Sequence, residues 1–175
     1  MPLRPTAVSR GRSLAGLLLA LGLACRDERP AYRDVVVDYS DRPLELVAGL
    51  EVTQVFIANH RDVTAVAVMM SNRGRRARDC DVVFRLRAKD SAADIDEQTL
   101  PCWQVPDQDW VRFDFPPLVL SHGRRFVISL HSPNGRPGEA PEILTASVPG
   151  IYPDGKLRLG DAVVPGALRF MTFHR

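Results

Sequence analysis

The feature of the sequence that most restricts its fold is an alternation of apolar and polar side chains with a period of two residues. Over residues 82–89, apolar side chains fall at every second position from Val82, and basic residues occupy most of the positions between them. The segments around Phe113 and Ile128 alternate in the same way. Because successive side chains of a β-strand point to opposite faces, this pattern predicts strands with one buried face and one exposed face.

Short apolar runs of this kind recur along the chain, and glycine or proline separates them. Gly accepts positive φ angles and Pro presets φ, so residues 72–74 and 153–155 are predicted turns. No helical periodicity is sustained after residue 24, although residues 91–98 could form one helical turn. The pattern therefore predicts an all-β fold, a single antiparallel β-sandwich domain of jelly-roll-like type. The predicted strands are residues 52–58, 63–70, 82–89, 110–115, 125–131, 143–148 and 167–173.

The first 24 residues have the organisation of a secretory signal peptide. Arg4, Arg10 and Arg12 precede an apolar stretch at residues 14–24, and no acidic residue interrupts them. The apolar stretch is shorter than the about 20 residues that a membrane-spanning helix needs. The sequence therefore predicts an exported protein.

Cys25 follows this apolar stretch directly. With Gly22, Leu23 and Ala24 before it, the site resembles the lipobox of bacterial lipoproteins, in which the signal is cut before a cysteine that carries diacylglycerol. The resemblance implies a lipidated Cys25 on the periplasmic side of the cell envelope, and Arg26 in place of an inner-membrane retention signal favours the outer membrane. Gly22 departs from the usual Leu of that position. Cleavage after Ala24, which would leave a soluble periplasmic or secreted protein, therefore stays open.

The expected organisation is a signal peptide at residues 1–24, the lipidated Cys25 with a tether at residues 25–43, and the β-sandwich at residues 44–175. The tether is rich in charge, and its apolar patch at residues 35–37 predicts at most one strand. Removing residues 1–24 removes three of the 23 basic residues, which leaves 20 against 21 acidic residues. A chain so close to neutrality is a poor partner for nucleic acid.

The two remaining cysteines, Cys80 and Cys102, are candidates for a disulfide in an exported protein. Their midpoint is Ser91, which lies in a turn-like stretch. An antiparallel hairpin folded there would place the two cysteines opposite each other, at a spacing that a disulfide can span. Two buried free thiols are the alternative.

Motifs for common enzyme classes and phosphate-binding loops are missing from the sequence. No histidine has a second histidine or a cysteine at metal-ligand spacing, so we interpret the four histidines as solvated or locally bonded. Ser121 and His122 are adjacent, but neighbouring residues point in different directions, and a turn-capping serine is the better interpretation. The sequence therefore predicts neither a catalytic site nor a bound metal or cofactor.

Two charged clusters qualify that expectation. The acidic residues at 94–97 and 107–109 could supply oxygen ligands to a structural calcium ion, and solvated turn carboxylates are the alternative. A cationic turn could meet phosphate groups of lipid, because arginine forks match such anions. Only two of the 23 basic residues are Lys, so an arginine-rich turn also follows from composition alone. The residues of this turn are Arg73, Arg75, Arg76 and Arg78.

Three aromatic residues near predicted strand ends or in loops are candidates for ligand binding. Trp103, Trp110 and Tyr152 could each stack on the apolar face of a sugar while the polar tip bonds a hydroxyl group. Core packing is the alternative for each ring.

Several longer stretches of the chain resemble known domains. They resemble the β-sandwich domains attached to bacterial membrane proteins of glycosyltransferase type and to other envelope proteins. The stretches are VAGLEVTQVFIA, VTAVAVMMSNRGR, DWVRFDFPPLVLSHGRRFVISLHSP, YPDGKLRLGD and LRFMTF. Those domains are similar in outline to galactose-binding and carbohydrate-binding jelly rolls. The resemblance implies the architecture, and it suggests sugar binding by analogy.

We therefore expect a lipid-anchored, non-catalytic envelope protein whose sandwich binds a glycan or a glycan-handling partner. The alternative is a protein-interaction or assembly module of the envelope that binds no sugar. A hydrolase acting on envelope polysaccharides is a third hypothesis, which requires catalytic groups to converge from distant strands.

Overall fold

The computed structural model describes residues 31–74 and 79–175. Within these ranges the chain forms thirteen strands and one short 3-10 turn, Cys102–Gln104. No helix there has the length and apolar character needed to cross a bilayer. The strands are β1 (Tyr32–Val37), β2 (Arg42–Glu45), β3 (Glu51–Ile57), β4 (Val63–Ser71), β5 (Asp81–Ala88), β6 (Asp94–Pro101), β7 (Asp109–Leu118), β8 (Arg125–His131), β9 (Glu142–Ala146), β10 (Leu157–Leu159), β11 (Ala162–Val164), β12 (Ala167–Leu168) and β13 (Phe170–His174).

Two antiparallel sheets pack against each other, so the predicted antiparallel β-sandwich is confirmed. The first sheet has the order β1-β13-β4-β9-β12, with β2 paired to β9 and β7 paired to β4. The second has the order β11-β10-β3-β8-β5-β6. Every predicted strand is present, and the segment at 167–173 is divided into β12 and β13.

The core lies between the two sheets and follows the predicted alternation. On β5, Phe84 and Leu86 are fully buried, whereas Arg85 between them reaches solvent. The ring of Phe84 stacks on that of Phe113 from the opposite sheet, with centroids 4.2 Å apart. Burying one such side chain contributes about 1.5–3 kcal/mol, so these aromatic contacts hold the layers together.

One buried polar side chain joins the layers as well. Gln54 of β3 is fully buried, and its Oε1 accepts a hydrogen bond from the Leu168 N–H at 3.0 Å. Its Nε2 donates to the Val55 carbonyl at 2.8 Å. Both ends of the amide are therefore satisfied, as a buried polar group requires.

The helical turn proposed for residues 91–98 is wrong, because residues from Asp94 onward form β6. Acidic residues are poor strand formers, but pairing with β5 overrides that preference. Glu97 lies opposite Arg85, and their side chains form an ion pair at 2.7 Å. Gln98 donates to the Asp114 carbonyl at 2.8 Å, which ties the edge of one sheet to the other.

The N-terminal part of the described chain belongs to the sandwich. The strand allowed at residues 35–37 is present as part of β1, which pairs with β13 and buries Val35 and Val37. The sheets therefore begin at Tyr32, upstream of the expected boundary at Leu44, and the described part of the tether is largely strand. The signal peptide and Cys25 lie outside the described residues.

Candidate functional site

A concavity of about 710 Å³ lies beside β2, β9 and the end of β4, and we call it the groove. It sits at the end of the sandwich where β4 finishes and β7 begins, which we call the groove end. Its lining, as far as the described residues show it, is predominantly polar and contains equal numbers of arginines and carboxylates. These charged residues are Arg42, Arg73, Arg169, Asp41, Asp107 and Glu142.

Arg169 lies where the last strand changes its partner. Its N–H donates to the Leu144 carbonyl at 2.9 Å, and its carbonyl accepts from the Met69 N–H at 3.0 Å. The neighbouring residues are buried in the core, so the Arg169 side chain lies on the outer face. Its Nη2 donates to Asp38 at 2.7 Å, and its Cζ lies 5.5 Å from the centre of the Trp110 ring. Arg169 therefore connects the groove to Trp110. Among the described residues, Trp110 is the predicted aromatic residue that Arg169 contacts.

The far wall of the groove is a chain of polar contacts. The Ser71 hydroxyl donates to Asp107 at 2.6 Å and accepts from the Arg73 N–H at 3.0 Å. The Arg73 guanidinium forms an ion pair with Glu142, whose side chain is nearly buried. Hydrogen bonding to Glu142 raises the pKa of Arg73 above its usual value. Both charges of this pair are therefore held in place before any ligand arrives.

The near wall contains Asp41 and Arg42. Asp41 accepts hydrogen bonds from the Ser147 N–H at 2.8 Å and from its hydroxyl at 2.7 Å. These two bonds lower the pKa of Asp41, the side-chain bond having the larger effect. Arg42, by contrast, forms no ion pair with any residue in the described part of the chain. Among the described residues, it is the cation of the groove that has no carboxylate partner.

The loops that frame the groove are tied together covalently and by hydrogen bonds. Cys80 and Cys102 form a disulfide with a Cα–Cα distance of 5.4 Å, which confirms the predicted pairing. The Asn72 N–H donates to the Pro106 carbonyl at 3.1 Å, and its side-chain amide donates to the Val105 carbonyl at 2.8 Å. The β4–β5 and β6–β7 loops are therefore held against each other.

Backbone strain also occurs at the groove. Arg73 and Gln108 have left-handed φ angles of 54° and 52°, and both line the groove. A non-glycine residue pays of order 1–3 kcal/mol for such a conformation, and residues of this kind concentrate at functional sites. Gln108 belongs to the acidic cluster at 107–109, but its conformation cannot be read from the sequence.

The three predicted aromatic residues have different surroundings. Trp103 lies on the 3-10 turn beside Cys102 and is 56% exposed, and Trp110 contacts Arg169. Tyr152 does not line the groove. Its hydroxyl accepts from the Ile57 N–H at 3.0 Å, and burial raises the pKa of Tyr152. The structure therefore places Trp110 on β7 beside Arg169 of the groove, Trp103 on the 3-10 turn of the β6–β7 connection, and Tyr152 elsewhere.

Three histidines meet at the opposite end of the sandwich, which the sequence spacing does not predict. The His60 ring stacks on His174 with centroids 4.1 Å apart, and its Nδ1 lies 2.7 Å from Asp34. His122 Nδ1 lies 2.5 Å from the Asn59 carbonyl oxygen. No local signal in the sequence predicts this cluster, because it depends on the pairing of β1 with β13, which are far apart in the chain.

The serine beside His122 has the predicted turn-capping role. The Ser121 hydroxyl donates to the His60 carbonyl at 2.9 Å and accepts from the Val63 N–H at 3.3 Å. Its hydroxyl is therefore occupied by backbone contacts and is fully buried.

The acidic clusters do not converge on a metal site in the described residues. No group of three or more His, Cys, Asp or Glu side chains there is placed to hold a metal ion. Asp94 and Glu97 both lie near Arg85, at 3.7 Å and 2.7 Å. Of the arginine-rich turn, Arg73 is described and the other three members lie outside the described residues.

The groove is thus a fixed arrangement of hydrogen-bonding groups in which one cation, Arg42, has no ion-pair partner among the described residues, and the Trp110 ring lies beside Arg169. Such an arrangement can bond hydroxyl and carboxylate groups of a ligand. Comparison with models of protein families finds none that matches this chain, and no curated protein matches it either. The residues that line the groove are therefore the best indication of what this chain binds.

Proposed function

We propose that this chain is a lipid-anchored, non-catalytic protein of the cell envelope whose groove binds a glycan. The observation that carries the proposal is the polar lining of the groove, in which Arg73, Asp41 and Arg169 are already oriented by neighbouring side chains. The groove volume of about 710 Å³ lies within the usual range for sites that bind small ligands.

A sugar presents neighbouring hydroxyl groups that planar side chains recognise in pairs. Guanidinium and carboxylate groups offer two donors or two acceptors side by side, which gives both geometry and strength. Because these groups are ordered before binding, a ligand loses less free energy to side-chain ordering. Trp103 and Trp110 add ring surface on which the apolar face of a sugar can stack.

The expected affinity is low. One or two stacked rings with a few hydrogen bonds correspond to a Kd of about 10 μM to 1 mM. Such binding is useful where many ligands are displayed on a surface, because several bound copies reinforce one another.

The proposal is tested by titrating the protein with peptidoglycan fragments, lipopolysaccharide cores and common polysaccharides. A ligand bound through the groove should lose about tenfold in affinity in Arg42→Ala, since that variant removes a charged hydrogen bond. Arg136→Ala, an exposed arginine in the β8–β9 loop outside the groove lining, is the matched control. Failure of every glycan to bind, or equal affinities of parent and Arg42→Ala, would contradict the proposal.

The lipid anchor has its own test. Labelling cells with radioactive palmitate should mark the parent chain and leave Cys25→Ser unlabelled. An unlabelled parent chain would contradict the lipid anchor and would favour the alternative of cleavage after Ala24.

A hydrolase is the second candidate, because Asp41, Asp107 and Glu142 all line the groove. Two carboxylates with different protonation states are the usual requirement for glycoside hydrolysis. Each of these three already accepts a hydrogen bond or forms an ion pair with a protein donor, so none of them is free of protein contacts as a catalytic acid or base would need to be. Release of reducing ends from a bound polysaccharide would identify a hydrolase, and its absence with binding retained would support the binding module.

An assembly module is distinguished by crosslinking in cells, which would capture an envelope protein in place of a glycan.

A further inference from the structure

We propose that the end of the sandwich opposite the groove docks on a bilayer that contains anionic phospholipid. We call this end the tip. It comprises the β3–β4 loop, the β5–β6 turn and the β7–β8 loop. The proposal concerns residues that the glycan groove does not use, and it does not depend on the acyl chain at Cys25.

The β7–β8 loop presents two adjacent aliphatic side chains to solvent. Val119 is 68% exposed and Leu120 is 63% exposed, more than any other large hydrophobic residue in the described chain. Leu120 has a left-handed φ of 59°, which is unfavourable for a bulky residue. The loop is nevertheless fixed, because the Ser121 hydroxyl donates to the His60 carbonyl at 2.9 Å. A fixed loop that exposes two aliphatic side chains is a candidate for insertion among lipid headgroups and acyl chains.

Three cations surround a concavity of about 440 Å³ at the same end. They are Lys89, Arg124 and Arg125, and the described part of the lining also includes the acidic residue Asp90. The Arg124 N–H donates to the Ser121 carbonyl at 2.9 Å, which places this cation directly beside the aliphatic loop. The Lys89 N–H donates to the Arg125 carbonyl at 3.0 Å, which joins the other two.

None of these three cations forms an ion pair with another described residue. Arg73, Arg85 and Arg169, by contrast, each have a carboxylate partner. Unpaired cations beside exposed aliphatic residues match the chemistry of an anionic headgroup region, in which phosphates lie just above the acyl chains.

The course of the N-terminal chain agrees with this orientation. Tyr32 begins β1 at the tip, where it pairs with His174, and it is 59% exposed. An exposed tyrosine is favourable at a membrane interface because its ring is apolar and its hydroxyl is polar. Cys25 precedes Tyr32 by seven residues in the sequence. β4 runs from the tip at Val63 to the groove at Ser71, which would hold the groove roughly 26 Å above the headgroups.

The experiment measures sedimentation of the protein with vesicles. The chain from Arg26 onward is suitable because every described strand lies between Tyr32 and His174 and pairs within that range. It also lacks both the apolar signal and the lipidated thiol. The vesicles contain phosphatidylglycerol and phosphatidylcholine in a one-to-three ratio, and vesicles of phosphatidylcholine alone serve as the uncharged comparison.

The parent chain should bind the anionic vesicles more tightly, and added salt should weaken that binding. Replacing Lys89, Arg124 and Arg125 by Gln should reduce the affinity about 100-fold, at about fivefold for each cation, and abolish the salt dependence. Val119→Ser with Leu120→Ser should reduce it by at least about tenfold. Two control variants change residues away from the tip. Val163→Ser removes an aliphatic residue that is 55% exposed, and Arg136→Ala removes an exposed cation. Both variants should bind the vesicles as the parent does.

Three results would overturn the proposal. The first is that the parent binds both kinds of vesicle equally or binds neither. The second is that the affinity is unchanged in both tip variants. The third is that millimolar inorganic phosphate saturates the cations without vesicle binding, which would identify a site for a soluble anion. Circular dichroism of each variant confirms that it is folded. Glycan titration of the tip variants should match the parent, so that the two proposals can fail separately.

Discussion

The two ends of the sandwich differ in how their charged side chains are held. At the groove end, Arg73 and Arg169 have carboxylate partners, and a disulfide ties the surrounding loops together. At the tip, Lys89 and Arg124 have no carboxylate partner among the described residues, and two aliphatic side chains stand in solvent. Groups that are oriented in advance suit recognition of a shaped ligand. Unpaired charges suit attraction to an extended surface.

The disulfide should distinguish the two ends most strongly. Cys80→Ala with Cys102→Ala should lower the free energy of unfolding by about 3 kcal/mol, because the crosslink closes a loop of about 20 residues in the unfolded chain. Urea denaturation measures this loss. Hydrogen exchange should rise in the β4–β5 and β6–β7 loops and stay unchanged in the β7–β8 loop. Equal acceleration at both ends would contradict the view that the crosslink serves the groove.

The buried amide of Gln54 should give the next largest effect. Gln54→Leu leaves the Leu168 N–H buried without an acceptor, which should cost about 2 kcal/mol of stability. Because Leu168 precedes Arg169, we also expect weaker glycan binding without any change in vesicle binding. Denaturation and the two binding assays check this, and a variant as stable as the parent would show that Leu168 finds another partner.

The two ends also contain similar left-handed residues that should respond in opposite ways to glycine. Leu120→Gly relieves an unfavourable φ of 59° and should raise the stability by up to about 1 kcal/mol. Arg73→Gly relieves a φ of 54° but leaves the buried Glu142 without its partner, so a lower melting temperature is expected. Thermal unfolding of both variants is the measurement. A higher melting temperature in both variants would mean that the ion pair of Arg73 adds nothing to the stability of the fold.

The smallest effect concerns pH. The hydrogen bonds from Ser147 lower the pKa of Asp41 in the folded chain. Asp41 therefore contributes stability above its unfolded pKa of about 3.9, and this contribution is lost as the pH falls through the lowered folded pKa. The stability difference between the parent and Asp41→Asn should thus be constant near neutral pH and shrink in acid. Urea titrations near neutral pH and in acid measure this stability difference. A difference that does not change with pH would contradict the lowered pKa of Asp41.

The sequence predicts most of the fold because the relevant signals are local. The alternation around Phe84 identifies the buried face of β5, and the position of Ser91 midway between two cysteines identifies both a hairpin and a disulfide. It fails for β6, where acidic residues become a strand only because Arg85 and the rest of β5 lie alongside. Local preference is weak there, and pairing decides the outcome.

The candidate sites were much less predictable. Trp110 was recognisable as an aromatic residue near a strand end, but nothing in the sequence connects it to Arg169. Arg42 and Glu142 carry no motif, and they enter the same groove only because β2 pairs with β9. The cations of the tip are likewise distant in sequence, since Lys89 follows β5 and Arg124 precedes β8.

The sequence by itself determined which side chains face the core and where the chain turns, because a strand with a period of two residues must bury one face. Only the tertiary structure decided which outward-facing residues are neighbours. Pairing of strands far apart in the chain brings Arg169 beside Trp110 at one end and His60 beside His174 at the other. Such pairings depend on packing of the whole sandwich, and no short segment contains that information.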